Sequence, residues 1–285
     1  MLKWLAVLFM LIDHLGYYLY PIIPNDLYLI MRTIGRLAFP IFAYGIVLGA
    51  DRTKNIFRYF LRLISFAVVG QVIMELAARS VNQRTFTNVL FTLAFGLMLI
   101  VGVEFITQSM QDVVMQLRPV TAGNPNAKNR INFFNIRVSL RHYTLPAWQG
   151  ILLGGAMVLV SIFMVILLEP DYALFGLAII LLFYILERRL EPYNPYQTQA
   201  LKQKRLRSFF VSFALLNLIN AVMNTLANPN GSTWSIISIV STFAVLLFPL
   251  EGRDQRKPAK WEKCFFYIFY PLHIAILILI SARIG

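Results

Sequence analysis

Five ionisable side chains stand inside stretches of this sequence that are otherwise apolar: Asp13 and His14, Arg32 and Arg36, and His273. A charge at the centre of a lipid layer costs about 2.5–3.5 kcal/mol on insertion scales, so such groups pair with one another and mark function. Their types define a chemistry. A neutral imidazole in a water-poor place takes a proton from an attacking amine or hydroxyl and later returns it. A guanidinium stays charged when buried and offers a planar fork to a phosphate or a developing oxyanion. Asp13 can neutralise an arginine or orient a histidine. Adjacent helical residues point about 100° apart, which favours an Asp13 contact with Arg36 or His273 over His14. Arg32 and Arg36 are four apart and so share one helix face. The candidate catalytic set is therefore His14, Asp13, Arg36 and His273. A register-fixing ion pair between Asp13 and Arg36 would explain two of these residues and leave the histidines merely hydrogen-bonded. Asn88, at the start of a later apolar stretch, fits a helix cap and a site role equally well.

The elements that must hold these groups are visible as apolar runs. The chain has 285 residues, 58% hydrophobic and 14% charged, against roughly 25% charged in soluble domains. Runs of about 20 residues match a helix crossing a ~30 Å hydrocarbon layer. The alternating ten-residue segments of a membrane β-barrel do not occur. The expected fold is all-α, a polytopic transmembrane bundle forming one domain over 1–285. Its nine expected spans are 3–23, 27–50, 56–77, 88–107, 148–168, 171–187, 207–227, 232–250 and 262–282. At ~1.5 Å of rise per residue, His14, Arg36 and His273 all fall near the midplane, with Arg32 one turn further out.

Most of the 26 Lys and Arg residues gather in alternate loops: Lys3, Arg52–Arg62, Arg118–Arg141, Arg188–Arg207 and Arg253–Lys263. The positive-inside rule then predicts a cytoplasmic N-terminus and an external C-terminus, which needs an odd number of spans. The net charge of +13 reads as orientation signal and as contact with lipid headgroups. Dispersed among loops and without a recognition motif, it gives no reason to expect nucleic acid. The stretch from Gln108 to Ala147 reads as a polar cytoplasmic loop. Its second half, with Ile131, Phe133, Phe134, Ile136, Val138 and Leu140 among Arg130, Arg137 and Arg141, is expected to lie at the interface. His142 belongs to that surface. Glu75 and Glu104, near span ends, are expected to be interfacial. Gly45–Gly49 and Gly150–Gly154 have the spacing that permits close helix contact. The lone Cys264 excludes an internal disulfide. Leu2–Ile23 is long for a signal-peptide core and lacks a small-residue cleavage site, so it is expected to remain as the first span. No zinc, P-loop or nucleophile-elbow motif is present, and no metal is expected.

Several of these stretches have a familiar order. Leu2–Leu5 with Ile12–Gly16, Arg32–Phe42, Asn88–Thr92, Asp171–Gly176 and Phe265–His273 together make the chain resemble the TraX family. These membrane acyltransferases are named for the enzyme that acetylates the N-terminus of conjugative pilin. They are similar to the broader acyltransferase-3 group, where a first-helix histidine and membrane arginines serve acyl transfer. The resemblance implies acetyl-CoA as donor and a bacterial cytoplasmic membrane as location. It implies His14 as base, Arg32 and Arg36 as donor-binding or oxyanion groups, and Asn88 as a further donor contact. The 108–147 loop is longer than the family leads one to expect. The acceptor stays open among peptides, saccharides and lipids. The same charges would also suit a proton-coupled transporter or flippase, although internal repeats typical of transporters are not evident. A third reading is a membrane assembly factor whose charges are structural.

Overall fold

In lipid every backbone N–H and C=O must be satisfied within its own segment, which drives apolar runs into helix. The computed structural model describes residues 2–82, 86–117, 137–140, 143–190, 198–227, 237–253 and 260–284. Helix α1 is Leu2–Tyr18, followed by a short 3-10 turn at Tyr20–Ile22. Then come α2 (Asn25–Gly35), α3 (Ala38–Arg52), α4 (Ile56–Ser80) and α5 (Val89–Leu117). A two-stranded antiparallel hairpin, β1 (Arg137–Leu140) and β2 (Tyr143–Pro146), sets Arg137 opposite Pro146. The chain continues with α6 (Ala147–Leu168), α7 (Ala173–Arg189) and α8 (Gln199–Ala227). It ends with a 3-10 helix at Val240–Arg253 and with α9 (Lys260–Ile284).

Five of the described helical segments are long and apolar enough to cross a membrane: Asn25–Arg52, Ile56–Ser80, Val89–Val114, Ala147–Leu168 and Gln199–Ala227. Ile237–Leu250 and Ile268–Arg283 are apolar but shorter. Burial separates core from periphery. The apolar window of α5 is 83% buried, while those of α4, α6 and α8 are 22%, 17% and 22% buried. Those three helices turn Leu76, Leu159 and Leu226 outward, as lipid-facing surfaces require. The close α5–α6 crossing depends on small residues. A Cβ on Gly102 would lie 2.7 Å from the Gly154 carbonyl oxygen. Gly154 thus makes the close contact its spacing predicted, with Gly102 as its partner. At Gly45 an added Cβ meets nothing within 4 Å, so that half of the other glycine pair has no packing role.

The span expected over 27–50 falls within one candidate span, Asn25–Arg52, whose helix is interrupted at Arg36–Leu37. Pro40 is the cause: in a continuous helix its ring would clash with the carbonyl four residues earlier, that of Arg36. Restarting at Ala38 puts Pro40 in a first turn, where its missing N–H costs nothing. One expectation is corrected, that 108–147 is a loop throughout. Helix α5 runs on to Leu117, and Arg137–Leu140 pairs with Tyr143–Pro146 as two strands. Residues 118–136 and His142 lie outside the described residues, as does the side chain of Cys264.

Glu75 is half-buried and paired with an exposed Arg79 at 2.9 Å, as suits an interfacial residue. Glu104 instead is buried, accepting from Arg188 Nη2 at 2.8 Å.

Candidate functional site

Helix α1 runs between α2 and α9, and its two central polar residues serve different neighbours. His14 faces α9, where its Nδ1 lies 2.7 Å from His273 Nε2, the two rings stacked at 24°. His273 Nδ1 in turn lies 2.6 Å from the backbone carbonyl of Phe269. Both imidazoles are buried. The chain therefore brings together residues 259 positions apart, as their shared depth predicted.

Asp13 faces α2. Its Oδ2 accepts from Arg32 Nη1 at 2.6 Å, while Oδ1 is buried without a hydrogen-bond partner. The expected Asp13 partners, Arg36 or His273, are not the ones found. Arg36 keeps its place one turn above Arg32, its backbone N–H bonding the Arg32 carbonyl at 3.2 Å, and its side chain takes a different partner. Two glycines allow the approach of α2 to α1. A Cβ at Gly35 would collide with the Asp13 side chain, and one at Gly16 would lie 2.9 Å from Met31 Cβ.

Arg36 turns toward the start of α7. Its Nη1 lies 3.5 Å from Tyr172 Oη, at the long limit of a hydrogen bond, and its Cζ is 5.9 Å from the Tyr172 ring centre. Its Nε is buried with no partner. Tyr172 sits in a strained turn. Glu169, Tyr172 and Ala173 have φ of 44°, 65° and 37°, a left-handed region that non-glycine residues adopt only when the surroundings enforce it. The enforcement is visible. Thr92 Oγ1 donates to the Asp171 carbonyl at 2.6 Å, Asp171 N donates to the Thr87 carbonyl at 3.1 Å, and Tyr172 stacks on Phe39 at 4.0 Å.

These groups surround a small, half-open recess. Asp13, His14, Asp171, Tyr172 and Tyr270 supply its polar lining, and Met10, Ala38, Phe39, Phe42 and Val89 its apolar walls, with Gly35 between. Arg32 and Arg36 stand behind this lining and not within it. Asn88 is also outside it. Its Nδ2 donates to the Ala67 carbonyl at 2.8 Å and to Gln71 Oε1 at 3.1 Å, and its Oδ1 accepts from Leu90 N at 3.0 Å. Those bonds make Asn88 the cap of α5 and its tie to α4. Among the described residues no group of three or more His, Cys, Asp or Glu side chains gathers as metal ligands.

Asp171, Tyr172 and Tyr270 were not singled out as site residues from sequence. Asp171 and Tyr172 open the span expected over 171–187, and only the membership of Asp171–Gly176 among the family-like stretches hinted at a further role.

Comparison with known proteins agrees with the resemblance. One curated relative, "Uncharacterized protein RP591" of Rickettsia prowazekii (strain Madrid E), is 35% identical over 97 residues. That match covers 34% of this chain and 34% of the relative, so it spans about a third of that protein's length. No solved structure matches. The family described as "TraX protein" matches residues 1–281, essentially the whole chain. The chain belongs to the TraX family.

Proposed function

We propose that this protein is a membrane acyltransferase that moves an acetyl group from acetyl-CoA to an amine or hydroxyl acceptor. The observation that carries the reading is the His14–His273 contact beside a recess lined by Asp13 and Asp171. Membership of a family linked with pilin acetylation supports a transferase.

His14 takes the proton of the acceptor N–H or O–H as that atom bonds to the thioester carbonyl carbon. The carbonyl oxygen becomes an oxyanion, and the Arg36 charge, held behind Tyr172, stabilises it. The C–S bond then breaks, and the departing thiolate takes the proton back from His14. The products are the acetylated acceptor and free CoA thiol, with no net change in His14. Arg32 serves mainly to hold Asp13, which leaves the nucleotide phosphates of the donor to basic residues at the inner helix ends. We assign nine spans, a cytoplasmic N-terminus, an external C-terminus and the bacterial cytoplasmic membrane on the apolar pattern and the basic-residue bias. The reading requires neither a metal ion nor nucleic acid. Peptides, saccharides and lipids all carry suitable acceptors.

The test is acetyl transfer from radiolabelled acetyl-CoA by purified protein in proteoliposomes, wild type against His14→Ala. The reading requires labelling by the wild type and its loss in the variant. The helix interruption at Arg36–Leu37 is the feature that suits a transporter, where interrupted helices frame the binding site. Solute flux in the absence of acetyl-CoA would favour that alternative.

A further inference from the structure

We propose, building on the acyltransferase reading, that His273 is a positioning residue that holds His14 in its Nδ1–H tautomer, so that Nε2 is the atom that takes the acceptor's proton. The argument begins at Phe269. Its carbonyl oxygen has only lone pairs to offer, and it lies 2.6 Å from His273 Nδ1. That nitrogen must therefore carry the hydrogen. A neutral imidazole has one N–H, so His273 Nε2 is a lone pair. This lone pair faces His14 Nδ1 at 2.7 Å. The contact is a hydrogen bond only if His14 Nδ1 is protonated; two lone pairs at that distance would repel. The remaining nitrogen of a neutral His14, Nε2, is then the basic one, and it has no hydrogen-bond partner among the described residues.

The arrangement also responds to the reaction. When Nε2 accepts a proton, His14 becomes a cation and its Nδ1–H bond to His273 becomes charge-assisted, hence shorter and stronger. Hydrolase triads fix a histidine tautomer with a carboxylate. Here a second neutral ring anchored on a backbone carbonyl does so without burying another charge. Asp13, the adjacent carboxylate, does not bond His14, whose Nδ1 meets His273. It is committed to Arg32 on the neighbouring helix.

The chain has three histidines, so a ¹⁵N spectrum of histidine-labelled protein in nanodiscs is assignable with His14→Asn and His142→Asn. The wild type should show His14 with a protonated Nδ1 and an unprotonated Nε2 at neutral pH. His273→Leu removes the acceptor and should convert His14 substantially to the Nε2–H form. His273→Gln places an amide oxygen near the lost Nε2 and should restore the wild-type pattern. In acetyl-transfer assays the leucine variant should lose roughly 100-fold in kcat, with the KM for acetyl-CoA within about twofold. The glutamine variant should recover most of that loss. A wild-type His14 protonated on Nε2, or a folded leucine variant with unchanged kcat, would overturn the proposal. So would a folded glutamine variant no better than leucine. The spectrum needs no turnover. Absence of any acetyl transfer by the wild type would therefore refute the acyltransferase reading separately from the tautomer.

Discussion

Asp13 and His14 are neighbours in the chain and bond to different helices. Asp13 reaches Arg32 on α2 at 2.6 Å, and His14 reaches His273 on α9 at 2.7 Å. One helical step of about 100° makes this division. It keeps the imidazole that handles protons apart from the ion pair that fixes the α1–α2 contact, while Asp13 and His14 both line one recess. The separation gives each residue a distinguishable signature on substitution.

Replacing His14 removes the base and should lower kcat by about 10²–10⁴-fold. His14→Gln is the informative variant, because its amide can still bond His273. Thermal unfolding in detergent should change little, while acetyl transfer is lost. Full activity in a folded His14→Gln protein would remove His14 from the mechanism.

The Asp13–Arg32 pair should behave as a largely buried ion pair. Its side chains are 18% and 13% exposed, respectively. Breaking it from one side leaves an uncompensated charge and costs roughly 3 kcal/mol, less here for the residual solvent contact. Asp13→Asn and Arg32→Gln should each lower stability, and the double variant should fall well short of their sum. A thermal-melt double-mutant cycle measures this. Strict additivity would mean that the contact contributes nothing to holding α2 against α1.

Glycine spacing alone does not say which pairs pack, and the two pairs here make contrasting controls. Gly154→Val intrudes on the α5–α6 crossing, where a Cβ would already lie 2.8 Å from Ile106 Cγ1. It should destabilise by about 1–3 kcal/mol as an overpacked interface. Gly45→Ala meets open space and should be neutral or slightly stabilising, since alanine is the better helix former. Yield of monodisperse protein and melting temperature report both. Equal effects at the two positions would contradict the packing described.

The legible part of this molecule was what periodicity and charge alone determine. Within the described residues the expected apolar runs fall largely on helical segments, and His14 and His273, placed at one level by the sequence, are in contact. Partner choice was less legible. Arg32 and Arg36 stand one helical turn apart as their spacing predicts, the Arg36 N–H bonding the Arg32 carbonyl, yet Arg32 takes Asp13 and Arg36 reaches Tyr172. Asn88 illustrates a different limit: cap and ligand contact use the same side-chain atoms, so only the observed bonds to Ala67, Gln71 and Leu90 distinguish them. Asp171 and Tyr172 were unreadable because their importance comes from long-range contacts with Thr92, Thr87 and Phe39. Such contacts leave no local pattern.

The last prediction separates charge from hydroxyl at the oxyanion. Arg36 stands behind the recess lining and Tyr172 within it, so the two should contribute unequally. Arg36→Lys keeps a positive charge but loses the planar fork and its reach to Tyr172. Arg36→Gln removes the charge altogether. If Arg36 stabilises the transition state, kcat and kcat/KM should fall together, by about 10²–10³-fold in the glutamine variant and less in the lysine variant. Tyr172→Phe preserves the stack on Phe39 and deletes only the hydroxyl that meets Arg36. Its loss should be about tenfold, as suits one long hydrogen bond. Steady-state kinetics with acetyl-CoA varied at saturating acceptor resolves the cases. A rise in KM for acetyl-CoA with kcat unchanged would move Arg36 from the oxyanion to binding of the donor.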